Sequence, residues 1–139
     1  MKTLIIITIS MLFSMALFSQ KNITINISDL ESNKGQVVVV LYKKGQEFAN
    51  FEKYYKKQIQ KQIVDKKATI VIENIPEGEY SFVVFHDENS DGELEKAWYG
   101  MPKEGIANSG NHTKRPNYDN TKFTITGNNK VFNIKINYL

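Results

Sequence analysis

The chain has 139 residues, a formal net charge of +3 and no cysteine. This length suits one domain of ordinary size and leaves no room for a second. The absence of cysteine excludes disulfides, thiol catalysis, thiolate metal sites and a lipid-modified cysteine, so the chain is not expected to be a lipoprotein.

The N-terminal segment has the pattern of a cleavable signal peptide. Lys2 supplies a positive charge, and an apolar stretch follows as far as Phe18. That stretch is shorter than the roughly 20 residues that a membrane helix needs. The sequence therefore predicts a signal peptide at 1–19 and a single domain at 20–139, exported to the periplasm or the extracellular space. Small residues make two positions suitable for cleavage of the signal peptide: Ala16 and Ser19.

Charge is segregated along the rest of the chain. Segment 43–67 has eight lysines and three acids, whereas segment 73–95 has eight acids and neither lysine nor arginine. The acidic block can concentrate cations, and we expect the lysines to be solvated and to pair with it. The basic segment has no nucleic-acid-binding motif, so no nucleic-acid partner is expected. No later stretch is apolar and long enough to span a membrane.

Short strands separated by polar turns make up the predicted domain. An alternating strand is predicted at 22–27 and a continuous apolar strand, suited to the centre of a sheet, at 37–42. Gly127, Asn128 and Asn129 predict a tight hairpin before the last strand. About seven strands with turn signals between them predict an all-β, antiparallel β-sandwich. The other predicted strands lie at 68–72, 80–85, 122–126 and 132–138.

One segment departs from the strand pattern. Apolar residues recur there at spacings of three and four: Phe48, Phe51, Tyr55, Ile59 and Ile63. This spacing predicts one short amphipathic helix near 47–57, followed by an edge strand near 58–64. Such a helix could lie on a membrane surface or cover an open end of the sandwich. We favour the cover, because amphipathic helices commonly pack on cores.

Segment 87–95 has the form D-x-N-x-D-G-x-L-E, which is typical of calcium-binding loops. Calcium takes about six to eight oxygen ligands, and a glycine such as Gly92 permits the sharp turn that brings them together. The predicted cofactor is therefore calcium. Its predicted ligands are the side chains of Asp87, Asn89 and Asp91, the backbone carbonyl of Glu93, and Glu95 directly or through water.

The match to an EF-hand is incomplete. Trp98 stands where that motif has its bidentate glutamate, and a strand precedes the loop. Glu104 could fold back as the missing carboxylate. A metal-free polar turn at 89–92 is the alternative. Against it, five acids among the nine residues of 87–95 repel one another, and a cation would relieve this repulsion.

Residues 87–120 show little periodicity but contain many apolar and aromatic side chains. We therefore predict a long ordered loop, irregular yet packed, with Trp98 buried against the sandwich edge. His86, just before this loop, is expected to be packed with one nitrogen bonded, and His112 to lie on the surface. Their spacing supports neither a zinc site nor acid–base catalysis.

Several motifs follow one another in a characteristic order. They are G-Q-V-V-V-V-L-Y at 35–42, N-I-P-E-G-E-Y at 74–80, F-H-D-E-N at 85–89, G-M-P-K-E-G at 100–105 and R-P-N-Y at 115–118. Over about residues 23–138 the chain resembles the bacterial family called domain of unknown function 2141. The resemblance implies an exported immunoglobulin-like or transthyretin-like sandwich and supplies no catalytic residues.

The sequence thus favours an exported, non-enzymatic binding or structural module, stabilised by calcium at 87–95. Its partner would be an envelope or extracellular protein or glycan. The alternative is a hydrolase or lyase acting on envelope polymers or glycans, with His86 and Glu104 as an acid–base pair. It rests on the tendency of loops on a rigid scaffold to carry active sites.

Overall fold

The computed structural model describes residues 20–139, so the predicted signal peptide at 1–19 lies outside the described residues. The one helix in the described part of the chain is not long and apolar enough to cross a membrane. The elements in chain order are β1 (Lys21–Ser28), β2 (Gln36–Lys43), β3 (Lys56–Gln60), β4 (Ala68–Ile75), β5 (Gly78–Asp87), β6 (Ile106–Asn108), α1 (Tyr118–Thr121), β7 (Phe123–Ile125) and β8 (Lys130–Lys135).

The strands form two sheets. One has the order β4-β1-β8, and the other has the order β3-β2-β5-β6, with β7 also paired to β5. The pairs between these strands are antiparallel except β1 with β8, which run parallel from Ile23 opposite Lys130 to Ser28 opposite Lys135. The predicted all-β sandwich is confirmed, with this one parallel pair. The predicted edge strand is confirmed as β3, which begins slightly earlier than expected.

The main core lies between the two sheets. Ile23, Ile25 and Ile27 of β1 are buried and alternate with partly exposed polar residues, as expected for a strand with one solvated face. Val39 and Phe82 are among the residues that meet them from the other sheet. The alternating apolar residues of the sequence therefore mark the inner face of β1.

A second apolar cluster lies on the outer face of the five-stranded sheet. We call it the outer cluster, and it consists of Val38, Val40, Tyr42, Val83 and Phe85. Strand β2 contributes to both clusters, which explains why 37–42 is apolar at every position. Partly buried side chains pack against the outer cluster, one from β6 and the others from outside the sheet: Ile106 of β6, and Phe48, Ala49, Phe51, Leu94 and Tyr118.

The predicted helix at 47–57 is wrong, because this segment is a series of turns and bends as far as Tyr55, where β3 follows. Asn50 Oδ1 accepts hydrogen bonds from the backbone N–H groups of Glu52 and Lys53, at 3.0 and 3.1 Å. Ala49 has a φ of 61°. Such side-chain bonds offer the backbone an alternative to helix. Phe48 and Phe51 still cover a core, as expected. The one helix among residues 20–139 is α1.

The predicted hairpin at 127–129 is also wrong. The strand before it, β7, pairs with β5 in the larger sheet, and the strand after it, β8, pairs with β1 in the smaller one. The turn with Gly127, whose φ is 62°, therefore carries the chain from one sheet to the other. A tight turn determines a change of direction but not the strand with which the next segment pairs.

The hydroxyl of Tyr42 predicts a stabilising substitution. It is the one buried side-chain polar atom of residues 20–139 without a hydrogen-bond partner, and burial raises its pKa above the usual range. A buried unsatisfied polar group costs about 1–3 kcal/mol. We expect Tyr42→Phe to increase the free energy of unfolding in urea by about 1 kcal/mol or more.

Tyr118→Phe is the matched control for that substitution. Its hydroxyl donates to the carbonyl of Glu79 at 3.1 Å, so its loss should lower stability by about 0.5–1.5 kcal/mol. A less stable Tyr42→Phe protein would contradict the expectation and would mean that a bridging water satisfies the Tyr42 hydroxyl.

Candidate functional site

The acidic loop begins where β5 ends. Asp87, the last residue of β5, lies opposite Gln36 of β2 and is fully buried. Gln36 Nε2 donates to Asp87 Oδ2 at 2.7 Å. The sheet therefore fixes the first predicted calcium ligand in position. A buried carboxylate needs such donors, because burial removes its hydration.

The loop curls around the Asp87 carboxylate. The backbone N–H of Gly92 donates to Asp87 Oδ2 at 2.7 Å, and that of Asp91 donates to Asp87 Oδ1 at 3.3 Å. Asn89 Oδ1 also accepts from the Asp91 N–H, at 3.1 Å, and Asp91 Oδ1 accepts from the Glu93 N–H, at 2.8 Å. The loop is thus a turn closed by hydrogen bonds, as in the metal-free alternative, and calcium ligation by these residues stays a prediction.

The amide of Asn89 joins two carboxylates of the loop. Its Nδ2 donates to Asp91 Oδ2 at 3.1 Å and to Glu95 Oε1 at 2.6 Å. A partially positive amide group therefore lies between two negative charges. The structure brings together Asp87, Asn89, Asp91 and Glu95, while the Glu93 side chain is exposed.

Glu104 folds back onto this loop. Its Oε2 accepts a hydrogen bond from the Glu95 backbone N–H at 3.1 Å, and the residue is 9% exposed. Burial raises the pKa of Glu104 to about 7, against the lowering effect of the Glu95 hydrogen bond. The charges of Asp87, Glu95 and Asp91 raise it further. Four carboxyl groups therefore influence one another at this loop.

No lysine or arginine forms an ion pair with these four carboxyl groups within residues 20–139. Lys57 contacts the backbone of the loop, since its Nζ donates to the carbonyl of Gly92. In the described part of the chain, no three histidine, aspartate or glutamate side chains stand ready to hold a metal ion. The acidic loop is therefore held together by hydrogen bonds among its own residues.

The raised pKa of Glu104 predicts a pH-dependent stability. An acid whose folded pKa lies above its unfolded value keeps its proton in the folded state, so stability falls as pH rises from about 4.5 to about 7. Glu104→Gln keeps an oxygen for the Glu95 N–H and removes the charge. In chelator at pH 8 we expect the variant to be more stable by roughly 1–3 kcal/mol.

Urea unfolding of both proteins at pH 4.5 and pH 8 measures this effect. The difference between the variant and the wild type should be small at the lower pH, where the unfolded state also holds the proton. An equal difference at both pH values would contradict the assignment to Glu104.

His86 is buried in a hydrogen-bonded network. Its Nδ1 is 2.7 Å from the Tyr138 hydroxyl, and its Nε2 is 2.8 Å from the Lys34 carbonyl. A carbonyl only accepts, so Nε2 carries the proton. The Tyr138 hydroxyl accepts from the Glu31 N–H at 2.9 Å and donates to Nδ1. The packed role predicted for His86 is confirmed, with two nitrogens bonded instead of one.

The proposed His86–Glu104 acid–base pair stays a prediction of the sequence. The nitrogens of His86 bond to Tyr138 and Lys34, whereas Glu104 bonds to the loop through Glu95. His112 is exposed, as expected.

A short hairpin follows the loop and displays Trp98. The Lys103 N–H donates to the Glu95 carbonyl at 2.9 Å, and that of Ala97 donates to the Met101 carbonyl at 2.8 Å. Trp98, at the tip, is 96% exposed, and its ring packs edge-to-face on that of Tyr99 at 5.4 Å. The predicted burial of Trp98 is therefore wrong. The long segment instead packs through Leu94, Ile106 and Tyr118.

Comparison with protein families gives a match over residues 25–133 to a model described as "Uncharacterized protein conserved in bacteria (DUF2141)". The chain belongs to the DUF2141 family. The resemblance seen in the sequence motifs is therefore confirmed. Comparisons with the curated proteins and with the solved structures gave no match. Because the DUF2141 description names no activity, the functional argument rests on this chain's own residues.

A groove lies beside the acidic loop of this DUF2141 domain. We call it the outer groove, a space of about 390 Å³ over one edge of the outer cluster. Its walls are the turn segment at 48–51, the hairpin at 96–102 and the segment at 112–116. Sequence reasoning missed the groove, because residues from separate segments come together only in the folded chain.

Proposed function

We propose that this DUF2141 protein is an exported, non-enzymatic binding module whose 87–95 loop binds calcium. Its partner would be an envelope or extracellular protein or glycan. The observation that carries the calcium proposal is the electrostatic influence of Asp87, Asp91 and Glu95 on Glu104, with no lysine or arginine ion-paired to these four groups in residues 20–139. The export proposal rests on the signal-peptide pattern at 1–19.

Calcium would take the place that the Asn89 amide nitrogen now has between Asp91 and Glu95. The amide would turn so that Oδ1 faces the ion. Asp87 and Asp91 would supply carboxylate oxygens, and the carbonyl of Glu93 would complete the turn. Hard oxygen ligands of this kind suit calcium, which tolerates irregular geometry better than magnesium does.

A bound ion would link the end of β5 to the hairpin that follows. Glu95 already accepts the N–H of Lys103 through its carbonyl and donates its own N–H to Glu104. Calcium held by the loop would therefore restrain Leu94 and Lys96, which line the outer groove. In this proposal the ion stabilises the binding face and takes no part in chemistry.

Thermal melting in calcium and in chelator tests this proposal. A one-site ligand at about 100 times its dissociation constant adds about 2.7 kcal/mol to the folded state. For a domain of this size we expect the melting temperature to rise by roughly 10 °C in calcium. Magnesium should have a smaller effect, because it requires nearly ideal octahedral geometry.

Two variants, each of which removes one negative charge, show whether calcium binds to specific ligands or only reduces the repulsion between the acidic side chains. Asp91→Asn removes a proposed carboxylate ligand and should abolish the calcium-dependent shift. Glu93→Gln changes an exposed side chain whose residue would ligate only through its backbone, so the shift should persist. An equal loss of the shift in both variants would mean that calcium only screens the acidic block.

A further inference from the structure

The outer groove has an apolar floor. Five outward-facing residues of the five-stranded sheet form the apolar outer cluster, and the segments that cover them leave a gap beside Val83 and Ile106. Side chains from the covering segments extend this apolar surface. The apolar lining includes Phe48, Phe51, Val83, Leu94, Met101 and Ile106. An occupant would therefore bury hydrocarbon, which is stabilised by about 25 cal/mol for each Å² removed from water.

The rim of the groove is basic. Its lining includes Lys96 from the wall at 96–102, and Arg115 and His112 from the wall at 112–116. Among the described residues that line the groove there is neither an aspartate nor a glutamate side chain, and Leu139, the last described residue, also belongs to the lining. Neither Lys96 nor Arg115 forms an ion pair within residues 20–139. Cations without carboxylate partners above an apolar floor are complementary to an anionic group attached to a hydrocarbon body.

Asn108, a buried polar residue of the groove lining, is already hydrogen-bonded. Asn108 Nδ2 donates to the carbonyl of His112 at 2.6 Å, and its Oδ1 accepts from the N–H groups of Gly110 and His112 at 3.1 Å each. Asn108 therefore has few bonds left for a ligand. A sugar would leave hydroxyl groups unpaired on the apolar floor, and such burial is costly.

We propose that the outer groove binds a small anionic amphiphile with a carboxylate head and a short unbranched hydrocarbon body. The head would lie between Lys96 and Arg115, and the body would lie on Val83 and Ile106. A space of about 390 Å³ holds roughly a dozen non-hydrogen atoms if each takes about the volume of a water molecule. Ligand sites of this size are ordinarily lined by apolar residues with a few charged ones.

This inference builds on the binding-module role and does not require calcium. The floor residues belong to strands β5 and β6, and calcium would affect only the wall that contains Leu94 and Lys96. Binding measured in chelator therefore tests the groove alone. If a ligand binds in chelator and calcium gives no thermal shift, then only the calcium proposal fails.

Decanoate is the probe, because its size matches the groove. Below its micelle concentration and in chelator, we expect it to shift the amide NMR signals of Val83 and Ile106 in a saturable way. The neutral decanol and the cationic decylamine should bind more weakly. The double variant Lys96→Gln/Arg115→Gln should weaken decanoate binding by roughly tenfold, which corresponds to two partly exposed charge contacts.

Lys103→Gln is the matched control, since Lys103 lies on the same hairpin but does not line the groove. It should leave decanoate affinity unchanged. Equal binding of decanol and decanoate, or equal weakening by Lys103→Gln and Lys96→Gln, would overturn the proposal. So would saturable binding to vesicles of anionic lipid without binding of monomeric decanoate, because that result would assign the basic rim to a membrane surface.

Discussion

Gly35→Ala should destabilise the folded protein by about 3 kcal/mol or more, through two costs that add. Gly35 has a φ of 72°, where a residue with a Cβ pays about 1–2 kcal/mol. A Cβ at this position would also overlap the backbone carbonyl oxygen of Asp87 and lie 2.5 Å from the Cα of Glu88. Those atoms belong to the backbone and cannot rotate away, so the acidic loop itself would have to move.

Gly45→Ala isolates the first of these costs. Gly45 has a φ of 87°, and a Cβ there would meet nothing within 4 Å. Urea unfolding should show a loss of about 1–2 kcal/mol for Gly45→Ala and a clearly larger loss for Gly35→Ala. Equal losses would mean that the β1–β2 connection is not held against the start of the acidic loop.

His86→Ala should be the second large effect, with a loss of about 3–5 kcal/mol. The substitution opens a cavity in a fully buried position and leaves the Tyr138 hydroxyl and the Lys34 carbonyl without their partner. The imidazole joins the β1–β2 connection, the end of β5 and the C-terminal segment. Its removal should therefore weaken the packing of all three segments against one another.

The other histidine provides the control. His112 is exposed, so His112→Ala should change the free energy of unfolding by no more than about 0.5 kcal/mol. Tyr138→Phe in the wild-type and His86→Ala backgrounds completes a double-mutant cycle. We expect a coupling of about 0.5–3 kcal/mol between the two side chains. Purely additive losses would contradict the hydrogen bond between them.

The strands could be predicted from the sequence because their signal is local. Alternation in 22–27 marked β1, and the continuous apolar run at 37–42 marked a strand covered on two faces. The pattern failed at 47–57, where the apolar spacing suited a helix. There the Asn50 side chain binds backbone N–H groups in turns that place Phe48 and Phe51 on the outer cluster.

The acidic loop was predictable for the same reason. Spacing within 87–95 is sufficient to bring the N–H groups of Asp91 and Gly92 onto Asp87. Long-range features were not predictable. The partners of His86 lie 52 residues away on either side, and the outer groove combines three distant segments. Trp98 was expected to be buried from composition, but a hairpin closed by backbone bonds displays it at its tip.

Calorimetric titration of calcium into the chelator-treated protein tests the central claim most directly. We expect saturable binding of one ion per chain, retained in Glu93→Gln and lost in Asp91→Asn. Absence of binding heat at several temperatures, or binding that persists unchanged in Asp91→Asn, would contradict it. In that case the hydrogen bonds of Asn89 would suffice to hold the acidic loop closed.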